Sequence, residues 1–194
     1  MALDAKKLVF EPIRVEDSVR IAPYFYRRPN KTCDSCALDS YLWAEYCDTR
    51  IAEWEDKALF ILMEKDGEQY TATPYCDEED LPQYFDLIKD YFNQVLKKPL
   101  KIYLADEEAV KYLHLEEDPR FIVREEEDYK DYLYDAEELR TLPGKRFHKK
   151  KNLVNKFKRE YEGRWEYRSI RCLEKQEVRD FLDRWYTHRI KEEG

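Results

Sequence analysis

The apolar positions of this chain change period several times, and each change marks an element. "LVFEPI", residues 8–13, reads as a short strand, and the spacing of Val15, Val19, Ala22 and Phe25/Tyr26 predicts a helix that the Pro29-Asn30 step ends. "DSCALDSYLWAEY", residues 34–46, predicts a second helix carrying Ala37, Tyr41 and a Leu42/Trp43/Tyr46 cluster. From Thr49 to Tyr75 the period becomes two. "TRIAEW", "ALFILMEK" and "QYTATPY" are separated by Glu55-Asp56-Lys57 and by Asp66-Gly67, which predicts an antiparallel meander with Asp-Gly as a hairpin turn.

Acidic residues Asp77 to Asp80 then open a helix whose apolar stripe is Leu81, Phe85, Ile88, Phe92 and Val95, and Lys97, Lys98 and Pro99 close it. "LKIYL" reads as a strand, Asp106 begins a short helix to about Leu113, and "RFIVRE" reads as another strand. A meander followed by helix, strand, helix and strand predicts an α+β fold with a mixed, largely antiparallel sheet rather than a doubly wound one. Further on, "WEYRSI" predicts a strand and residues 174–193 a helix with Val178, Phe181, Leu182 and Trp185 on one side. A strand and a helix cannot bury both their faces alone, so this part reads as the beginning of a second domain or as a flap on the first.

Composition narrows the class. With 194 residues, 43% apolar and 15% aromatic, the chain can build a real core, and 40% charged residues imply a heavily solvated exterior. No apolar run long enough to span a bilayer exists, and "MALDAKKLVFEPI" lacks the apolar centre of a secretory signal, so a cytoplasmic protein with at most peripheral membrane contact is expected. Cys33, Cys36, Cys47, Cys76 and Cys172 are expected to be reduced thiols. Cys33 and Cys36 have the spacing of half a zinc site, yet no second pair completes four ligands, and no metal is expected. No Ser-His-Asp or Cys-His arrangement is signalled, and His114 and His188 sit in amphipathic helices where a surface role is expected.

Charge changes the picture most. Residues 145–159, "KRFHKKKNLVNKFKR", hold eight Lys or Arg and no Asp or Glu, in a chain whose net charge is −8. Screening over about 8 Å lets such a segment act as a local cationic surface whatever the total charge. At about 100° per residue, Phe147, Leu153, Val154, Phe157 and Tyr161 share one side, which predicts a helix that packs on a core. His148, Asn152, Asn155 and Arg159 line the opposite side, flanked by Lys149, Lys151 and Lys156, while Lys150 falls inside the apolar stripe. Charge runs are usually solvated helix faces. Two Asn in a helix interior have little structural return, however, and Lys150 must snorkel or meet an anion. Lys145, His148, Lys149, Lys150, Lys151, Asn152, Asn155 and Arg159 are therefore candidates for a phosphate- or carboxylate-binding face.

The stretch "DYLYDAEELRTLPGKRFHKKKNLVNKFKREY", with "CDSCALDSYLWAEY" before it, resembles the phosphatidylglycerol lysyltransferase C-terminal-domain family. The resemblance implies two consecutive GNAT-like acyltransferase folds and, in better-known relatives, transfer of an amino acid from aminoacyl-tRNA to a lipid head group. It places family positions at Tyr132, Gly144, Lys145, Lys149, Lys150, Lys151, Asn152, Asn155 and Phe157. Lys151 stands where Arg is usual, which removes bidentate anion recognition, and Ser40 stands where Asn is expected. The four glycines, Gly67, Gly144, Gly163 and Gly194, form no Arg/Gln-x-x-Gly-x-Gly/Ala loop of the acyl-CoA-binding type.

The expected organisation is a GNAT-like domain over 1–140, a basic linking helix over 141–163 and the start of a truncated second GNAT-like domain over 164–194. The expected role is acyl- or aminoacyl-transferase-like, this chain being the non-catalytic N-terminal half plus linker, with no cofactor of its own and acyl-CoA or aminoacyl-tRNA as donor. The alternative is a non-enzymatic module whose basic helix docks a small phosphate-bearing ligand, RNA or an anionic membrane. The catalytic base and the oligomeric state are not legible.

Overall fold

The computed structural model describes residues 3–28, 32–103 and 105–193, with side chains through Arg189. Backbone contacts divide the chain into two compact units, residues 1–132 and 133–194.

The first unit is organised by an antiparallel sheet in the order β1-β2-β3-β4, formed by Glu11–Pro12, Arg50–Trp54, Ala58–Lys65 and Glu68–Thr71. The period-two segments become these strands because β3 is buried along both faces from Ala58 to Leu62. Alternation sends Ala58, Phe60 and Leu62 to a layer with Leu81, Tyr84, Leu87 and Ile88 of helix α4, Leu81–Asp90. Leu59 and Ile61 face a second layer with Ile21 of α1 (Asp17–Ile21), Tyr24, Phe25 and Ala37 of α2 (Ala37–Leu42). The β3–β4 hairpin turns on Asp66 and Gly67, both at positive φ (53° and 77°), as the twist of a two-residue turn requires.

Several predicted elements are altered by tertiary context. Only Glu11–Pro12 of residues 8–13 pairs in the sheet. The first helix tightens to a 3-10 turn over Ala22–Tyr26 at Pro23, so Phe25 is buried but Val15, Val19 and Tyr26 are exposed. Pro29-Asn30 lies outside the described residues. The second helix breaks at Trp43 into α2 and α3, Ala44–Cys47, leaving Leu42, Trp43 and Tyr46 exposed. A π-helical stretch, Tyr91–Leu96, follows α4 and rotates Val95 out of the buried stripe that holds Phe92.

Within "LKIYL", Ile102 forms an isolated parallel bridge to Thr71, while Leu104 lies outside the described residues. That bridge occupies the Thr71 end of β4, and "RFIVRE" has no strand conformation: Ile122 is 83% exposed and Phe121 packs on Phe85 with ring centroids 5.6 Å apart. Helix α5, Glu107–Tyr112, begins where expected, because Asp106 accepts a hydrogen bond from the Ala109 N–H at 2.9 Å. The same carboxylate receives both terminal nitrogens of buried Arg28, at 2.7 and 2.9 Å.

The second unit is helical among the described residues. It holds α6 (Ala136–Thr141), capped by Asp135, then α7 (His148–Glu160) and α8 (Lys175–Glu193). "WEYRSI" is not a strand, since its unit offers no strand to pair with, and Tyr167 and Ile170 are exposed.

Candidate functional site

Helix α7 is positioned by the turn before it. Gly144 lies at φ 71°, ψ −177°, a region essentially reserved for glycine, and it reverses the chain into a short 3-10 turn over Lys145–Phe147 that leads directly into α7. Of this segment Phe147 alone is buried; Lys145, His148, Lys149, Lys150, Lys151, Asn152, Asn155 and Arg159 are all exposed.

The helix geometry brings His148, Asn152, Asn155 and Arg159 into one line, because steps of four, three and four residues return to nearly the same angle. Lys149 and Lys151 flank the start of that line. The first turn of α7 contains no acidic residue and no side chain caps it. The positive end of the helix dipole therefore coincides with three consecutive lysines, an arrangement that repels itself and is relieved by an anion, although the His148 N–H is already taken by the Lys145 carbonyl of the preceding turn. Within the segment, Arg146 pairs with Glu138, and Lys156 stands 3.7 Å from Glu160. Among the described residues Lys149, Lys150 and Lys151 form no ion pair.

The apolar side of α7 differs from its expectation. Leu153 is 68% exposed, and Val154, Phe157 and Tyr161 are each between 42% and 45% exposed, so this stripe is partly open to water. Phe157 stacks on Tyr161 at 4.9 Å and lies 5.7 Å from Trp165, centroid to centroid. Lys150 is consequently a solvated side chain, because the stripe in which it sits is itself open to water.

Of Cys33 and Cys36 in the first unit, Cys33 is engaged by a distant residue that sequence spacing could not reveal. The Cys33 N–H donates to Asp131 at 2.9 Å, and hydrogen bonding of its thiol to that carboxylate pushes Cys33 up to about 11. Such a thiol is protonated near neutrality and a poor nucleophile or metal ligand. Cys33 and Cys36 are free, and among the described residues no group of three or more His, Cys, Asp or Glu stands close enough to hold a metal ion. Tyr75, also raised to about 12 by burial, lies in the same region and hydrogen-bonds to Ser35. Among the described residues no helix is long and apolar enough to cross a membrane. A recess of about 440 Å³ along α8 is lined by Leu182, Asp183, Trp185, Tyr186 and Thr187, none of them a candidate residue, and its walls come from a single helix, which cannot enclose a small ligand.

These features define an α+β protein with helices on both sides of an antiparallel sheet and a cationic helix end in a second unit. The chain belongs to the family described as phosphatidylglycerol lysyltransferase, C-terminal, which it matches over residues 28–194. No curated protein matches it. A crystal structure described as a conserved protein of unknown function from Bacteroides thetaiotaomicron is similar over 96% of this chain, with a TM-score of 0.76 and 24% sequence identity. The chain spans 62% of that protein's length, and a likeness at this identity speaks for the fold alone.

Proposed function

We propose that the chain is part of an acyl- or aminoacyl-transferase-related protein in which the N-terminal end of α7 receives the phosphates of the donor. The observation that carries this reading is the coincidence of an uncapped helix N-terminus with Lys149, Lys150 and Lys151 and no acid in the first turn. Family membership supplies the reaction class, and the donor is a phosphate-bearing carrier, aminoacyl-tRNA or acyl-CoA. Asn152 and Asn155 add neutral donors and acceptors along the line from His148 to Arg159, and so orient a ligand that the lysines attract. In this reading the first unit is GNAT-like and residues 164–194 begin a second GNAT-like fold. Chemistry of this type rests on holding donor and acceptor in reacting geometry.

Fluorescence anisotropy with labelled aminoacyl-tRNA and labelled acyl-CoA tests the reading. Replacing Lys149 and Lys151 by Gln should lower affinity and reduce the salt slope by about one for each phosphate that is no longer engaged. Binding of neither donor, or an unchanged slope, would remove the basis of the proposal.

A further inference from the structure

We infer that Cys33 and Cys36 form a reversible thiol–disulfide switch, closed by a small-molecule disulfide, and that closing it unties Asp131 from the loop over residues 32–36. Both cysteines are free and exposed. Cysteine is among the residues most often buried, so two exposed thiols separated by two residues are placed for chemistry rather than for packing. The loop that carries them is tightly wound: the Ser35 N–H donates to the Thr32 carbonyl at 3.2 Å, and the Cys36 N–H to the Asp34 carbonyl at 2.9 Å. The Thr32 and Ser35 hydroxyls stand 2.8 Å apart, and Ser35 also bonds to Tyr75, so the loop is held independently of either sulfur. This winding suits a ring closed between residues three apart, whose Cα atoms a disulfide needs within about 7 Å.

Asp131 decides which state is held. Among the described residues, its carboxylate is engaged by the thiol and the N–H of Cys33. The bond to the thiol is the main cause that pushes Cys33 up to about 11, and burial and the charges of Asp34 and Asp39 act in the same direction. Cys33 is therefore a poor first nucleophile. The Cys36 thiolate attacks the small disulfide instead, forming a mixed disulfide and displacing one thiolate. Cys33 then releases its proton to solvent and attacks Cys36 Sγ, so that the Cys33–Cys36 bond forms and the second small thiolate leaves. Two protein thiols are oxidised, one small disulfide is reduced to two thiols, and the two protons released from the protein balance the products. Once closed, Cys33 no longer donates through sulfur, and Asp131 loses that tie. Asp131 stands one residue before the end of the first unit, so the switch acts on the segment with which that unit closes.

Equilibration of the full chain in buffers of graded reduced and oxidised glutathione is the test, with acid quenching, alkylation of the remaining thiols and mass spectrometry. Cys33 and Cys36 should lose their thiols together and appear as one linked pair on peptide fragmentation, while buried Cys76 stays reduced. Asp131→Asn removes the bond that holds the dithiol state, so the glutathione ratio at half closure should move about tenfold toward the disulfide. Amide hydrogen exchange supplies the second readout: residues 129–132 should exchange faster in the closed form than in the reduced one. Cys36→Ser should abolish both the linked pair and the change in exchange under the same oxidant. Glutathione adducts without a Cys33–Cys36 bond would overturn the inference. A bond whose midpoint Asp131→Asn leaves unchanged would do so too, as would exchange at residues 129–132 that does not respond to closure. None of these readouts involves α7 or a donor, so the outcome is independent of the proposed function.

Discussion

The two units use apolar residues in opposite ways. In residues 1–132 the central strand is buried on both faces, and Phe60, Leu59, Ile88 and Phe92 have almost no exposure. In residues 133–194 helices of comparable regularity carry Leu153, Phe157, Phe181 and Trp185 half open to water. Amphipathic spacing is present in both. The difference is whether a sheet supplies the opposing surface, and it shows that a helical apolar stripe states what a helix can bury, while only a partner decides whether it does.

Substitutions that probe each side should separate the units by energy. Phe92→Ala removes a fully buried ring, and urea denaturation should show a loss of about 3–5 kcal/mol, whereas Leu153→Ala should change stability by less than about 0.5 kcal/mol. Equal losses at the two positions would mean that the stripe of α7 is covered in solution and would erase the contrast.

Asp106→Ala comes next. It strips the bidentate partner and leaves the buried guanidinium of Arg28 uncompensated, with its Nε already lacking a partner among the described residues. A loss of about 3–5 kcal/mol is expected in the same denaturation experiment. The double replacement Arg28→Met with Asp106→Ala should recover part of it, because no lone charge then stays buried.

The smallest effect concerns reactivity. Asp131→Asn removes the main cause that raises the Cys33 thiol, so alkylation of Cys33 by iodoacetamide at pH 8 should quicken by about tenfold, read by peptide mass mapping. The pH dependence has a definite sign. A folded pKa of about 11 lies above the ordinary thiol value, so the hydrogen bond to Asp131 contributes below that ordinary value and its contribution fades as pH rises toward 11.

How much of this was legible follows the same division. The meander was readable because period-two alternation and Asp66-Gly67 specify strands and turn locally, and α4 because its stripe and flanking charges agree. The Asp106 start of α5 carried its own cap. "RFIVRE" and "WEYRSI" have strand composition, but a strand exists only with a neighbour: Ile102 holds the edge at Thr71 in one case, and no partner strand stands in the same unit in the other. The break at Pro23 and the π-helical stretch after Asp90 shift which residues face inward, an effect that average periodicity does not register. For the candidate site, the line from His148 to Arg159 follows from spacing alone. The uncapped start of α7, the openness of its apolar side and the pairing of Cys33 with Asp131 across 98 positions required the fold.

The most direct measurement is a titration of the isotopically labelled chain with pyrophosphate, followed through backbone amide shifts. Saturable shifts centred on the amides of residues 148–151, weakened by salt, are the predicted result. Shifts confined to other segments, or none at those four residues, would contradict the placement of a donor's phosphates at the start of α7.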